Sequence, residues 1–343
     1  MTDNIPSPTK HEEKEWLDEL HANFPQAALF NVHSDYQQLS STDDHTLPLN
    51  LTSIYRETFR TSSYDDSISA CEYIDLGVTI EQQQRLEQLT KLQQGSQLWF
   101  DFRSGRVSAS VFYDVCHTTI SKPSKSLLMK ICYPLKCKFS SPQTDWGLKK
   151  EKIAFRKYVN TAKYNHVDFI ANSSGFVISV DNPRFGATPD GVIQCSCCGK
   201  GVLEIKCPYS LKDSSCIQTD FLDQSGDVIR LKEGHRYYYQ VQLQMFVIGV
   251  KYCDFVVWSP HDILVVRVMY NASFCLDKID ITSSFNEKCV LPELLGKYFS
   301  VGIDQMPNFT DCENVDMFGN VLVAEEVVVS IVPKTTNVSS SSN

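Results

Sequence analysis

Glu204 and Lys206 stand two residues apart in the run Gly-Val-Leu-Glu-Ile-Lys-Cys-Pro at 201–208. In an extended strand alternate side chains share a face, so this carboxylate and ammonium point one way while Leu203 and Ile205 point into the core. Charged groups set into an apolar strand are costly to bury unless they serve something. Upstream, Gly-Ala-Thr-Pro-Asp-Gly places Asp190 at a tight turn between the short apolar runs 176–180 and 191–193. A hairpin of those two runs is expected to bring Asp190 beside Glu204. Two carboxylates meeting at a strand end make a hard-oxygen site suited to Mg²⁺ or Mn²⁺.

A third acid, Glu151, lies in Trp-Gly-Leu-Lys-Lys-Glu-Lys-Ile-Ala-Phe-Arg-Lys-Tyr-Val. Helical spacing groups Leu148, Glu151, Phe155 and Tyr158 on one face, with the lysines on the others. Glu151 interrupts that apolar stripe, as a metal-directed carboxylate would; a buried ion pair or a favourable place in the helix dipole are the structural alternatives. Taken singly, each acid has such an alternative. Taken together with Lys206, they fit hydrolysis of a phosphodiester, which needs hydroxide at neutral pH and relief of charge on the phosphorus. Gln240, Gln242 and Gln244 would line one face of a strand, whereas a helix sets Gln240 and Gln244 beside Tyr237. On pattern alone these glutamines are surface residues.

The formal net charge is −9, yet eleven basic residues and only two acids fall between Cys116 and Lys163. That stretch (Lys122, Lys125, Lys130, Lys136, Lys138, Lys149, Lys150, Lys152, Arg156, Lys157 and Lys163) nets +9, and the remainder −18. A basic patch on an acidic body suits a phosphate-tracking surface, and a solvated helix face is the plainer alternative. The polar opening carries no signal-peptide core, and no apolar run approaches the roughly 18 residues of a membrane span. A soluble, intracellular protein without a membrane partner is expected. Its thirteen cysteines should then be reduced thiols.

These side chains need elements to hold them. Helical periodicity predicts helices at Glu13–Ala22, from Thr79 with Gly95 ending it, from near Ser108, from Trp146 to Ala162, and over 234–249. Apolar β runs fall at 176–180, 191–193, 201–207, 254–259 and 263–270. Strands interleaved with helices predict an α/β (α+β) domain with a mixed central β-sheet flanked by helices. Residues 1–75 read as an N-terminal extension or small subdomain, 76–300 as the domain that bears the chemistry, and 301–343 as a C-terminal segment with a disordered tail.

Five segments in this order resemble one family. Trp-Phe-Asp-Phe-Arg-Ser-Gly-Arg-Val-Ser-Ala-Ser at 99–110, Trp-Gly-x-x-x-Glu at 146–151, Thr-Pro-Asp-Gly at 188–191, Leu-Glu-Ile-Lys-Cys-Pro at 203–208 and the glutamine-rich segment at 240–244 resemble the phage lambda exonuclease and YqaJ viral recombinase family of the PD-(D/E)XK nucleases. The resemblance runs from about Trp99 to Val268, roughly half of the chain. It implies a restriction-endonuclease-like core and a metal-dependent DNA exonuclease acting on duplex ends, 5′→3′, in recombination or repair or in a viral or mobile-element context. One or two Mg²⁺ or Mn²⁺ ions would be held by Glu151, Asp190, Glu204 and the Ile205 carbonyl. Lys206 would orient the attacking water and stabilise phosphate charge, and Gln240 would position Lys206 or that water. Arg103 and Ser110 match the family's 5′-phosphate pocket, with Thr188 where the phage enzyme has serine. A homo-oligomer and a recombination partner protein are further implications that no residue here fixes. A non-catalytic DNA-binding or assembly module that has kept the fold is the alternative function.

One cluster stands outside that pattern. Cys195-Ser-Cys-Cys198-Gly-Lys has the form of a zinc knuckle. A tetrahedral site needs four ligands, and Cys197, Cys207, Cys216, Cys253 and Cys137 are the candidates to complete it. Phage relatives lack these cysteines, so the expectation is a hairpin tip with free thiols, with structural Zn²⁺ on Cys195 and Cys198 as the lesser alternative.

Overall fold

A computed structural model describes residues 46–137 and 140–300. The helix expected at Glu13–Ala22 and the C-terminal tail lie outside the described residues. In chain order the helices are α1 (Tyr64–Cys71), α2 (Ile80–Leu89), α3 (Gln97–Arg103), α4 (Phe112–Cys116), α5 (Lys125–Cys132), α6 (Pro142–Asn165), α7 (Arg236–Ile248), α8 (Ala272–Phe285) and α9 (Leu291–Gly296). The strands are β1 (Val107–Ser108), β2 (Ile170–Asn172), β3 (Val177–Ile178), β4 (Phe185–Ala187), β5 (Gly191–Cys195), β6 (Gly199–Lys206), β7 (Leu222–Ser225), β8 (Val228–Leu231), β9 (Tyr252–Trp258) and β10 (Ile263–Met269).

The expected mixed α/β architecture is present. The central sheet runs β10-β9-β6-β5-β2. β6 pairs parallel with β9, while its other neighbour β5, and the outer strands, pair antiparallel. Alternation sorts the side chains onto two faces. Leu203 and Ile205 of β6, with Val256 and Trp258 of β9, pack against Ala154, Tyr158 and Ala162 of α6. Val202, Phe255 and Val257 face the other way, onto Tyr237, Val241 and Met245 of α7. A further core joins α4, α5, α8 and α9, and it includes Leu51, Ile54 and Cys71 from the N-terminal side.

Local signals set the two helices that frame the sheet. The Ser141 hydroxyl accepts from Thr144 N at 3.2 Å, Pro142 opens α6, and Pro at a first helical position sacrifices no bond. α7 is capped by His235 and stops at Gly249, whose φ of +70° few other residues adopt at low cost.

Three expectations are corrected. The run 176–180 does not pair with 191–193: Val177–Ile178 pairs with Phe185–Ala187 in a small separate sheet. The helix from Thr79 stops at Leu89 rather than at Gly95; a short 3-10 turn at Gln93–Gly95 precedes the separate helix α3. Leu148 does not belong to a buried stripe, being 38% exposed, and the buried line of α6 runs through Thr144, Ala154, Tyr158 and Ala162.

Candidate active site

Asp190 reaches Glu204 by a different pairing from the one expected. β5 and β6 are antiparallel with Gly191 opposite Leu203, so extending the register by one residue sets Asp190 opposite Glu204. The Asp190 carboxylate accepts from Ile205 N at 2.6 Å, which fixes it at the mouth of the hairpin. Glu204 and Lys206 share the face of β6 that looks toward α7, and both are buried, at 3% and 7% exposure.

Polar side chains from α7 complete this face. Helical spacing stacks Tyr237, Gln240 and Gln244 on one side. Gln240 Nε2 donates to Glu204 Oε1 at 2.6 Å, and Gln240 Oε1 accepts from Lys206 Nζ at 3.3 Å. Gln244 Nε2 donates to Glu204 Oε2 at 2.7 Å. Lys206 Nζ also lies 2.9 Å from Glu204 Oε1 and 4.5 Å from the centre of the Tyr237 ring. Both Glu204 oxygens thus have donors, and a buried charge is tolerated on that condition. The glutamines are buried because they serve this carboxylate, contrary to the surface position their pattern suggested.

Glu151 approaches from α6, on the cleft side with Thr144 and Gly147. Burial and the neighbouring Glu204 charge push its carboxyl up to about 7, against the partial relief of Lys206. Asp190 is raised well above the usual carboxylate range, by burial first and then by Glu204 and Glu151. Burial alone would lower Lys206, but Glu204, Tyr237 and Asp190 outweigh it and the net shift is upward. Three acids therefore converge on one lysine, leaving an excess of negative charge that a divalent cation would balance. The donor set of carboxylate oxygens and a nearby backbone carbonyl suits Mg²⁺ or Mn²⁺.

Arg103, Ser110 and Thr188 line one wall of the same cleft of about 850 Å³, which also takes in Glu151, Asp190, Glu204, Ile205, Lys206 and Gln240. Arg103 donates to Ser110 Oγ at 2.7 Å, and Ser110 Oγ is 3.2 Å from Ser108 Oγ. Trp99 organises this wall: its indole N–H donates to Thr188 Oγ1 at 3.0 Å, and the Arg103 guanidinium lies 4.6 Å from its ring centre. Burial draws Arg103 down to about 10, still cationic at neutral pH. Among the described residues no carboxylate pairs with it. A desolvated guanidinium beside two hydroxyls is a seat for an anion.

Sequence reasoning missed Gln244, Tyr237, Trp99 and His235 as cleft residues. The first two carried a legible signal, their helical spacing from Gln240. His235 had none; it caps α7, and burial pulls its imidazole down to about 4, which keeps it neutral. Cys195 and Cys198 are not cleft residues. They sit at the other end of β5 and β6, five to six residues along the hairpin from Glu204, or roughly 16–20 Å at about 3.3 Å per strand residue.

None of the curated proteins compared with the chain matches it. Among solved structures, an alkaline exonuclease from Laribacter hongkongensis is similar at 21% identity, covering 62% of this chain and 100% of that one, with a TM-score of 0.46. The Shutoff and Exonuclease Protein from Kaposi's sarcoma associated herpesvirus is similar at 14% identity, covering 87% and 100%, with a TM-score of 0.42. A phage related exonuclease from Haemophilus somnus is similar at 13% identity, covering 55% and 94%, with a TM-score of 0.38. The family profile of the YqaJ-like viral recombinase domain matches residues 98–251. That span holds every residue of the cleft named above, from Trp99 to Gln244.

Proposed function

We propose that this cleft is the active site of a metal-dependent deoxyribonuclease, an exonuclease that degrades duplex DNA from its ends. The observation that carries the reading is the convergence of Glu151, Asp190 and Glu204 on one buried lysine, Lys206, in a cleft that also holds the Arg103 anion seat.

Mg²⁺ or Mn²⁺ held by Glu151, Asp190, Glu204 and the Ile205 carbonyl would supply hydroxide at neutral pH and neutralise charge on the scissile phosphate. The chain's own residues do the rest. Gln240 and Gln244 hold the Glu204 carboxylate by both oxygens, so it cannot swing out of the cleft. Lys206, held by Glu204 and Gln240, offers its ammonium to the oxygen on which charge accumulates. Arg103, with Ser110 and Thr188, receives a terminal 5′-phosphate and so sets the direction of attack, 5′→3′. The basic face of α6 tracks the duplex, since Lys149, Lys152, Arg156 and Lys157 are exposed. The biological setting that fits the family is recombination or repair, or the life cycle of a virus or mobile element.

Linear duplexes labelled at the 5′ or the 3′ end, and closed circular DNA, incubated with Mg²⁺ or EDTA test this. Nucleotide release from linear DNA in Mg²⁺ alone, with the 5′ label released first, is expected. Degradation of closed circles would replace the exonuclease with an endonuclease. Binding without degradation in any metal would leave a DNA-binding module in its place.

A further inference from the structure

The second concentration of metal-ligating chemistry lies at the far end of the β5–β6 hairpin. Cys195 ends β5, paired with Gly199 of β6, and Cys197 and Cys198 lie in the turn between them, which closes on Gly199 at a φ of +76°. The fourth residue comes from elsewhere. His166 follows the last turn of α6, whose final helical bond is His166 N to Ala162 O, and it brings its imidazole onto the turn.

The distances between donor atoms describe one small polyhedron. His166 Nδ1 lies 3.2 Å from Cys197 Sγ, 3.5 Å from Cys198 Sγ and 3.6 Å from Cys195 Sγ. Cys197 Sγ lies 3.4 Å from Cys195 Sγ and 3.7 Å from Cys198 Sγ. One ligand atom from each of the four lies within 4.8 Å of all the others. A tetrahedron of sulfur ligands about 2.3 Å from a central Zn²⁺ has edges of about 3.8 Å, slightly shorter where an imidazole nitrogen replaces a sulfur. The observed edges are those of such a tetrahedron drawn in by a few tenths of an ångström.

The surroundings suit thiolates. Cys198 N donates to Cys195 Sγ at 3.3 Å, and Arg267 donates to Cys198 Sγ at 3.2 Å. Arg267 is itself anchored by two bonds to the buried Asp254, at 2.7 and 3.0 Å, and stacks on Tyr252. Three thiolates and a neutral imidazole around Zn²⁺ carry one net negative charge, and Arg267 sits against it. None of the described cysteines is in a disulfide.

We propose that His166, Cys195, Cys197 and Cys198 bind a structural Zn²⁺ that ties the C-terminal end of α6 to the β5–β6 hairpin. The ion is separate from the cleft, and the inference does not depend on the nuclease reading. Its place in the fold gives it work: α6 carries Glu151 while β5 and β6 lead to Asp190 and Glu204, so the ion fixes the two arms that bear the cleft acids. Cys207, Cys216, Cys253 and Cys137, the other candidate ligands from sequence, are not in the cluster. Soft thiolates with one imidazole in closed tetrahedral geometry select zinc over Mg²⁺.

Elemental analysis of the full chain, purified without added metal and dialysed against a mild chelator, should find one zinc per chain. Glu204→Gln should retain it, and the double variant Cys197→Ser/Cys198→Ser should lose it. Because that variant could unfold, zinc X-ray absorption on the unaltered protein supplies the second readout: three sulfurs at about 2.3 Å and one nitrogen at about 2.0–2.1 Å are expected. Substoichiometric zinc in the unaltered protein, a shell of oxygen and nitrogen only, zinc lost in Glu204→Gln but kept in the cysteine variant, or a disulfide within Cys195–Cys198 would each overturn the assignment.

Discussion

Glu151→Gln should make the metal-free protein more stable at alkaline pH. In the folded state burial and the Glu204 charge move the Glu151 carboxyl from its ordinary 4.5 to about 7. The folded chain then holds this proton to higher pH than the unfolded chain, so stability falls as pH rises from about 4.5 through about 7 and stays low above that. At about 1.4 kcal/mol per pH unit the shift corresponds to at most about 3.5 kcal/mol, and partial solvent access to the carboxylate reduces this to roughly 1–3 kcal/mol. Glutamine keeps the shape and removes the charge. In a domain of this size about 2 kcal/mol is roughly 4–8 °C in Tm. The assay is denaturant unfolding in EDTA at pH 8 and at pH 5. Glu151→Gln should gain stability at pH 8 and most of the gain should vanish at pH 5. Added Mg²⁺ should reverse the order at pH 8, because only the unaltered protein has the full set of ligands. Equal destabilisation by the substitution at both pH values in EDTA would refute the argument, because Glu151 would then be a structural carboxylate with its own partner.

Further expectations concern the other side chains of the cleft. Gln244→Leu removes the donor to Glu204 Oε2 and leaves a buried charge partly unsatisfied, at a cost of about 1–3 kcal/mol that denaturant unfolding will register; a neutral result would mean that water replaces the amide. Arg103→Ala should raise KM for 5′-phosphorylated ends roughly 10- to 100-fold with little change for 5′-hydroxyl ends; an equal effect on both would place Arg103 outside the phosphate seat. Replacing Lys149, Lys152, Arg156 and Lys157 by Gln should weaken DNA binding for every sequence alike and lower the salt slope, by about one for each lost phosphate contact. An unchanged slope in anisotropy titrations would make these residues a solvated helix face.

Much of the site was legible because its signals are local. The two-residue spacing of Glu204 and Lys206 in an apolar run gave β6 and the face each side chain takes, and helical spacing tied Gln240 and Gln244 to Tyr237. Asp190 was legible as a neighbour of Glu204 although its pairing was misread. Val177–Ile178 finds its partner in Phe185–Ala187, the nearer extended run, and the long partner of 191–195 is β6. The apolar spacing at Leu148 misled because that part of α6 lines the cleft with Gly147 and Glu151 and leaves Leu148 in solvent. The grouping of His166 with the cysteines was beyond sequence reading. The two segments are 29 residues apart, and only the pairing of β2, which follows α6, with β5 brings them together.

The nuclease reading stands or falls on single-turnover cleavage of a linear duplex by the unaltered protein, Asp190→Asn and Lys206→Met, each shown to be folded and to bind DNA. The unaltered protein should cleave in Mg²⁺ and not in EDTA. Each variant should be slower by at least about 10²–10³-fold with binding retained. Cleavage that survives both substitutions, or that proceeds in EDTA, would contradict the nuclease reading.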